Sequence, residues 1–328
     1  LEFTQSGKGI QSLVLVPTRE LAKQVEKEMI EFSKYAFLNI YALTGGKTTN
    51  KMLREIPEAE ILIATPGKLL DILENFELDL SKVETLVLDE VDMMLDKDFL
   101  EPVKKIIEQI PRKRQNMFFS ATLPKEVIKV AHIYMKKPVK ITANFYLEPK
   151  KLKQLYYPVE PDKKLSLLVH LLKTERAGLS LVFTNREQIA KFLEKNLKKN
   201  TNLEIKSIVG EMPAGKRKRI IDEFRQEKFD VLIATDLAAR GLDVESITHV
   251  YNYNIPKEPD KYIHRIGRTA RAENKGIVIN FITENEIETI GLLLKTHDIH
   301  LLRKNLPEFD EIEVKEIKKT EKRHKRRN

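Results

Sequence analysis

The sequence predicts an α/β protein built as two doubly wound parallel-sheet domains in series. Three observations predict it. Short, wholly apolar runs alternate with longer amphipathic segments. Small polar and charged residues collect just after those runs, where loops leave strands. The periodicity lapses once, over Lys136–Pro158, where Pro138, Pro149 and Pro158 interrupt it. A length of 328 residues suits two or three domains of roughly 100–200 residues each.

In chain order, Leu13–Val16, Ile61–Ala64, Leu86–Leu88 and Met117–Phe119 read as buried parallel strands. Between them Leu21, Val25, Met29 and Phe32 form one helical stripe, and Phe99, Val103, Ile106 and Ile110 another. Both stripes are expected in the core. The second series has strands at Leu179–Phe183, Ile205–Val209, Val231–Ala234, His249–Tyr251 and Gly276–Phe281. Its helices are expected at 187–197, 214–226, 259–266 and 285–297. This gives a first domain over 1–138, a linker over 139–158, a second domain over 159–300 and a C-terminal extension over 301–328. The end of that extension, 315–328, is dominated by Lys and Arg and is expected to be disordered.

Composition narrows the function class. Lys and Arg number 58 against 49 Asp and Glu, a formal net charge of +9. That excess favours a polyanionic partner, and it also serves solubility. The absence of cysteine excludes disulfides and thiolate metal sites. The histidines show no ligand spacing. No apolar run approaches the ~18 residues of a membrane span, and no signal peptide opens the chain, so a cytoplasmic protein is expected. The first residue is Leu rather than Met, as in an incomplete or processed start.

Several motifs carry chemistry. Asp89-Glu90 closes an apolar strand. An aspartate there can hold Mg²⁺ through water, and the next carboxylate can orient or deprotonate an attacking water. The pair also reads as an ordinary acidic strand end. Ser120-Ala121-Thr122 reads equally as a helix cap. Gly45-Gly46 and Thr65-Pro66-Gly67 read as turns whose N–H groups suit phosphates. Tyr262-Ile263-His264-Arg265-Ile266-Gly267-Arg268-Thr269-Ala270-Arg271 sets three arginines and a histidine around one glycine. Guanidinium forks suit a triphosphate, while the plainer reading is a solvated basic helix end.

Taken in order, these motifs resemble those of the DEAD-box RNA helicases of superfamily 2, from about Leu13 to Phe281. Pro17-Thr18-Arg19-Glu20-Leu21-Ala22 resembles motif Ia. Gly45-Gly46 and Thr65-Pro66-Gly67-Lys68 resemble the next two nucleic-acid loops. Asp89-Glu90-Val91-Asp92 resembles motif II, Ser120-Ala121-Thr122 motif III and Val182-Phe183-Thr184-Asn185-Arg186 motif IV. The segment from Ala234 to Asp243 resembles motif V, and His264 to Arg271 motif VI.

The resemblance implies two RecA-like domains that unwind or remodel RNA with ATP and Mg²⁺. By it, Asp89 coordinates the metal through water and Glu90 positions the hydrolytic water. Asp92 couples to Ser120 and Thr122, and to motif VI at His264. Arg268 and Arg271 act as arginine fingers on the γ-phosphate, and Asp243 meets the ribose. Thr18, Arg19, Gly46, Thr65, Gly67, Arg217 and Thr235 line the RNA backbone path. Contacts to phosphate and 2′-hydroxyl rather than bases fit an enzyme that ignores sequence. A monomer is expected.

This sequence departs from the family pattern in places. Val91 stands for alanine, Lys68 for arginine and Ala270 for glycine. Val209 and Ala214 stand where the family has histidine and glutamine. The family's Q motif and its Walker A loop, GxxxxGK(S/T), are not among these residues. Ser6-Gly7-Lys8-Gly9 puts Gly9 where a metal-binding hydroxyl belongs, and reads as a loop ahead of motif Ia. The first domain is therefore expected to be N-terminally truncated, and the chain inactive alone. Three origins fit: a partial product of an ordinary helicase, one piece of a split helicase completed by a P-loop fragment in trans, or a non-catalytic RNA-binding scaffold.

Overall fold

A computed structural model describes residues 4–94, 97–142, 152–175, 178–210, 212–239, 242, 244–270, 275–297 and 299–312. Asp243, Arg271 and the basic tail at 315–328 lie outside the described residues. The chain divides into two compact units, Leu1–Tyr146 with Ala239–Asp243, and Leu147–Ala238 with Val244–Asn328.

The first unit alternates β1 (Ser12–Leu15), α1 (Arg19–Phe32), β2 (Ile40–Leu43), α2 (Asn50–Glu55), β3 (Ile61–Ala64), α3 (Pro66–Asn75) and β4 (Thr85–Leu88). It continues through α4 (Val91–Met94), α5 (Lys97–Glu108), β5 (Gln115–Phe118) and α6 (Lys125–Tyr134). Its sheet has the order β2-β3-β1-β4-β5 and every pairing is parallel. Successive residues of a strand face opposite sides, so each apolar run feeds two cores. Leu13, Leu15, Leu62 and Leu86 pack with Leu69, Ile72 and Ile106 from α3 and α5. Val14, Ile61 and Ile63 pack with Leu21, Val25 and Met29 of α1.

The expected α1 stripe stops one turn early. Phe32, its last residue, is 79% exposed. Spacing fixes the face a residue lies on, not how far along a helix the core extends. Pro66-Gly67, read as a turn, opens α3 instead. A first-turn proline lacks only an N–H that the helix leaves unused. The short strand β2 and helix α2 add to the expected elements.

The second unit runs β6 (Leu152–Pro158), α7 (Lys164–Thr174), β7 (Leu179–Thr184), α8 (Glu187–Asn200), β8 (Ile205–Ile208), α9 (Ala214–Arg225) and β9 (Val231–Thr235). It then adds β10 (Ile247–Asn252), α10 (Pro259–Ile266), β11 (Gly276–Ile282), α11 (Ile287–His297) and β12 (Leu302–Arg303). The sheet order is β12-β6-β11-β10-β7-β9-β8, again parallel throughout. Strands β7 and β9 are buried at every position. The segment expected as the end of the linker is a correction. Leu152–Pro158 is a seven-residue strand, registered on β11 from Leu152 to Pro158. Pro158 is tolerated as its terminal residue, where one missing N–H costs little. The extension forms β12, and beyond it Phe309 and Ile312 pack on the core that α7 helps to build. Among the described residues no helix is long and apolar enough to cross a membrane.

Candidate functional site

In the first domain each parallel strand delivers one motif to the same rim of the sheet. Thr18 follows β1, Gly46 follows β2, Thr65 follows β3, Asp89 follows β4 and Ser120 follows β5. Given the strand order, the RNA-candidate loops sit on the β2-β3-β1 side and the acids on the β4-β5 side. The Ser6–Gly9 loop lies at the opposite rim. There Gly7 donates its N–H to Glu60 Oε1 at 2.8 Å, and Glu60, buried just before β3, also accepts from Asn39 N at 2.6 Å. Lys8 therefore stands at the wrong end of the strands to share a phosphate with Asp89.

The acidic corner is built by hydrogen bonds. Asp89 donates its backbone N–H to Leu15 O at 3.0 Å, which fixes it at the end of β4. Its Oδ1 accepts the Glu90 N–H at 3.0 Å. Glu90 has φ +52°, a left-handed conformation that non-glycine residues rarely adopt. That turn lets α4 start at once, with Val91 N donating to Phe119 O at 3.0 Å. Val91 points its larger side chain into the core, where the extra volume is accommodated. Asp92 Oδ2 accepts both the N–H (3.0 Å) and the hydroxyl (2.6 Å) of Thr122. Asp92 also donates its own N–H to Ser120 Oγ at 3.3 Å. The structure thus brings Asp92, Ser120 and Thr122 together.

Burial pushes the Asp89 carboxyl above its ordinary range. The Glu90 N–H pulls it the other way, and the charges of Asp92 and Glu28 add to the rise. Among the described residues no three Asp, Glu or His side chains gather as a metal cage. One desolvated carboxylate with acidic neighbours still fits Mg²⁺, which takes one or two carboxylates and fills its shell with water and phosphate.

On the other side of the rim, Thr18 caps α1 by accepting the Leu21 N–H at 3.2 Å. The exposed Arg19 lays its guanidinium over Gly45, where any Cβ would collide with it. Gly46 has φ +139°, open to glycine alone. Thr65 precedes α3 without spending its hydroxyl on a cap, and the space above Gly67 is open. Uncapped N–H groups at a helix start attract anions.

In the second domain Thr235 ends β9 almost wholly buried, and Arg217 lies in the first turn of α9. The motif VI arginines do not share one fate, which corrects their reading as a single cationic set. Arg265 is only 1% exposed. Its Nε and Nη2 clamp Asp236 at 2.5 and 2.8 Å. Its Nη1 donates to Asn252 Oδ1 at 2.9 Å and to Asn254 O at 2.6 Å. The guanidinium also lies over the Phe183 ring, 4.9 Å from its centroid. Beneath it, Asn252 donates to Asn280 Oδ1 at 2.8 Å, and Asn280 donates to the Tyr262 hydroxyl at 3.2 Å. His264 and Arg268, by contrast, remain partly exposed. Helical spacing held the signal: Arg265 falls on the inward face with Tyr262 and Ile266. Ala270 adopts φ +56°, the conformation the family's glycine supplies freely.

Known families match both halves. The DEAD/DEAH box helicase family matches residues 2–130. The helicase conserved C-terminal domain matches residues 163–273. The chain belongs to the DEAD-box helicases. It is 35% identical over 307 residues to the DEAD-box ATP-dependent RNA helicase CshA of Bacillus cereus, covering 93% of this chain and 58% of that one. A DEAD box protein from the hyperthermophile Methanococcus jannaschii is 32% identical, with TM-score 0.53 and coverage of 92% and 82%. Dbp5 of S. cerevisiae, bound to RNA and ADP BeF3, is 29% identical with TM-score 0.81, over 92% of this chain and 78% of that one. The chain thus spans a little over half the length of its CshA relatives, and its fold is that of two RecA-like domains.

Proposed function

We propose that this chain is the core of an enzyme that unwinds or remodels RNA at the expense of ATP. The observation that carries the reading is the Asp89–Asp92 turn. It holds a desolvated carboxyl and a strained glutamate at a strand end, and it ties Asp92 to Thr122 and Ser120. In this reading Asp89 would hold Mg²⁺ through water, with Glu90 beside it. The metal, when bound, supplies charge neutralisation on the phosphates. Glu90 orients the attacking water and accepts its proton. The Asp92 tie links that acid to the loop after β5. Arg268 stabilises charge on the transferred phosphoryl group, as Arg271 would; Asp243 would meet the ribose. His264 joins the same coupling.

RNA follows Thr18, Arg19, Gly46, Thr65 and Gly67 in the first domain, and Arg217 and Thr235 in the second. Open helix starts and glycine loops supply backbone contacts that carry no sequence information. Support comes from the named relatives, an RNA helicase and an RNA-bound homologue. A monomeric, cytoplasmic enzyme fits the composition.

A polypeptide of these 328 residues is expected to hydrolyse little ATP until a P-loop segment is supplied, fused or in trans. The test is RNA-stimulated phosphate release from that completed enzyme. Glu90→Gln should abolish it, and activity that survives removes Glu90 from the role. Arg268→Ala should slow turnover by about 10³–10⁵, the worth of an arginine finger, while RNA affinity without nucleotide changes little.

A further inference from the structure

Lys68 stands where the family resemblance has an arginine, next to Thr65 and Gly67 of a loop read as meeting RNA, and its ammonium faces inward. Its side chain is only 7% exposed. Nζ donates to Thr48 Oγ1 at 2.6 Å and to Asp71 Oδ2 at 2.6 Å. A lysine in the first turn of a helix opposes the macrodipole, so helix stability does not explain its place. A buried ammonium persists only when paired, and both partners come from defined places. Asp71 lies one turn further along α3, and its Oδ1 accepts from Asn75 Nδ2 at 3.3 Å. Thr48 belongs to the loop after β2, two residues past Gly46 and one before Thr49. Thr49 caps α2 by accepting the Met52 N–H at 3.2 Å.

One side chain therefore fastens the loop that carries Gly46 to the helix start that carries Thr65 and Gly67. We infer that Lys68 is a positioning residue. With Thr48 and Asp71 it sets the spacing of two RNA-backbone loops and does not itself bind phosphate. The inference rests on the RNA reading of those loops. It adds Thr48 and Asp71 to the residues on which RNA affinity depends, though neither meets the ligand.

Salt dependence separates a tie from a phosphate contact. Each phosphate contact to a single strand adds about 0.7 to the magnitude of the log–log salt slope, and a positioning residue adds nothing. Single-stranded RNA affinity of the full chain is measured across a salt series for wild type, Lys68→Met, Thr48→Val and the double variant. Unfolding midpoints identify any variant that is merely unfolded. Lys68→Met should weaken binding roughly tenfold, within the range of coupled side chains, with the slope unchanged. Thr48→Val, which leaves every charge in place, should weaken binding in the same way, and the double variant should be little worse than either. A slope that drops by about 0.7 in Lys68→Met makes Lys68 a phosphate ligand and overturns the inference. So does Thr48→Val with wild-type affinity. Arg19→Ala, which should lower both affinity and slope, reports on the RNA reading separately. A wild-type chain that binds no RNA sinks that reading and the tie's role together.

Discussion

Each domain holds an aspartate at the end of a parallel strand, and the two are treated in opposite ways. Asp236, after β9, is clamped by both arms of the buried Arg265. Asp89, after β4, receives one backbone N–H and faces the negative charges of Asp92 and Glu28. The first acid is satisfied by the protein itself. The second is held at a cost that a cation would offset. A half-buried charge with its partner built in is architecture, and one surrounded by its own sign is a candidate site. The backbone repeats the lesson with a twist. Glu90 and Ala270 share the same left-handed strain. At Glu90 the strained turn lets α4 start directly after β4, whereas at Ala270 a methyl group occupies a place glycine fills without strain.

The largest effect is expected at Arg265. Arg265→Ala leaves Asp236, Asn252 and Asn254 without their donor inside the domain. Removing one partner of a buried pair costs about 3–5 kcal/mol. Denaturant unfolding should show that loss, and a midpoint close to wild type would contradict a structural role.

The opposite sign is expected at Asp89. Its folded pKa lies above the unfolded one, so the native state binds the extra proton. Stability then falls as pH rises from the ordinary carboxylate range through the raised folded value, and the ionised group costs stability at neutral pH. Asp89→Asn should therefore stabilise the metal-free protein at pH 7, by less than Arg265→Ala destabilises it. The gain should shrink towards zero as pH falls below the ordinary aspartate range. Thermal unfolding of both proteins across pH measures it, and a loss of stability at neutral pH would count against the comparison.

A smaller gain is expected at Ala270. Ala270→Gly removes the left-handed strain but frees the unfolded chain, leaving a net gain of about 0.5–1 kcal/mol. Glu90→Gln keeps its strain and should gain nothing from this source, so the pair of unfolding curves separates backbone from charge. The mildest effect concerns the basic tail. Deleting 315–328 should weaken RNA binding at low salt and flatten the salt slope by about 0.7 per lost phosphate contact, with sequence preference unchanged. Equal slopes would leave the tail without an RNA role.

Much of the fold was legible before the structure. Ile61–Ala64 and Pro259–Ile266 occupy their expected places to the residue, because an unbroken apolar run and an amphipathic stretch opened by proline each have one good solution. Helix α3 and strand β6 were not legible. Proline and glycine mark starts and ends alike, and local chemistry does not say which. The order of motifs along the chain was enough to point to the family. Side-chain identity alone could not separate Arg265 from Arg268, three residues apart in one motif, or show that Lys68 turns inward. Those outcomes depend on what stands opposite: Asp236 and Asn252 arrive from other strands, and Thr48 from another loop. Sequence alone specifies two parallel α/β domains and their family, since apolar periodicity sets the elements and motif order along the chain marks the family. Which charges are spent inside the protein is settled by tertiary contacts, because a charge's role is set by partners distant in the chain.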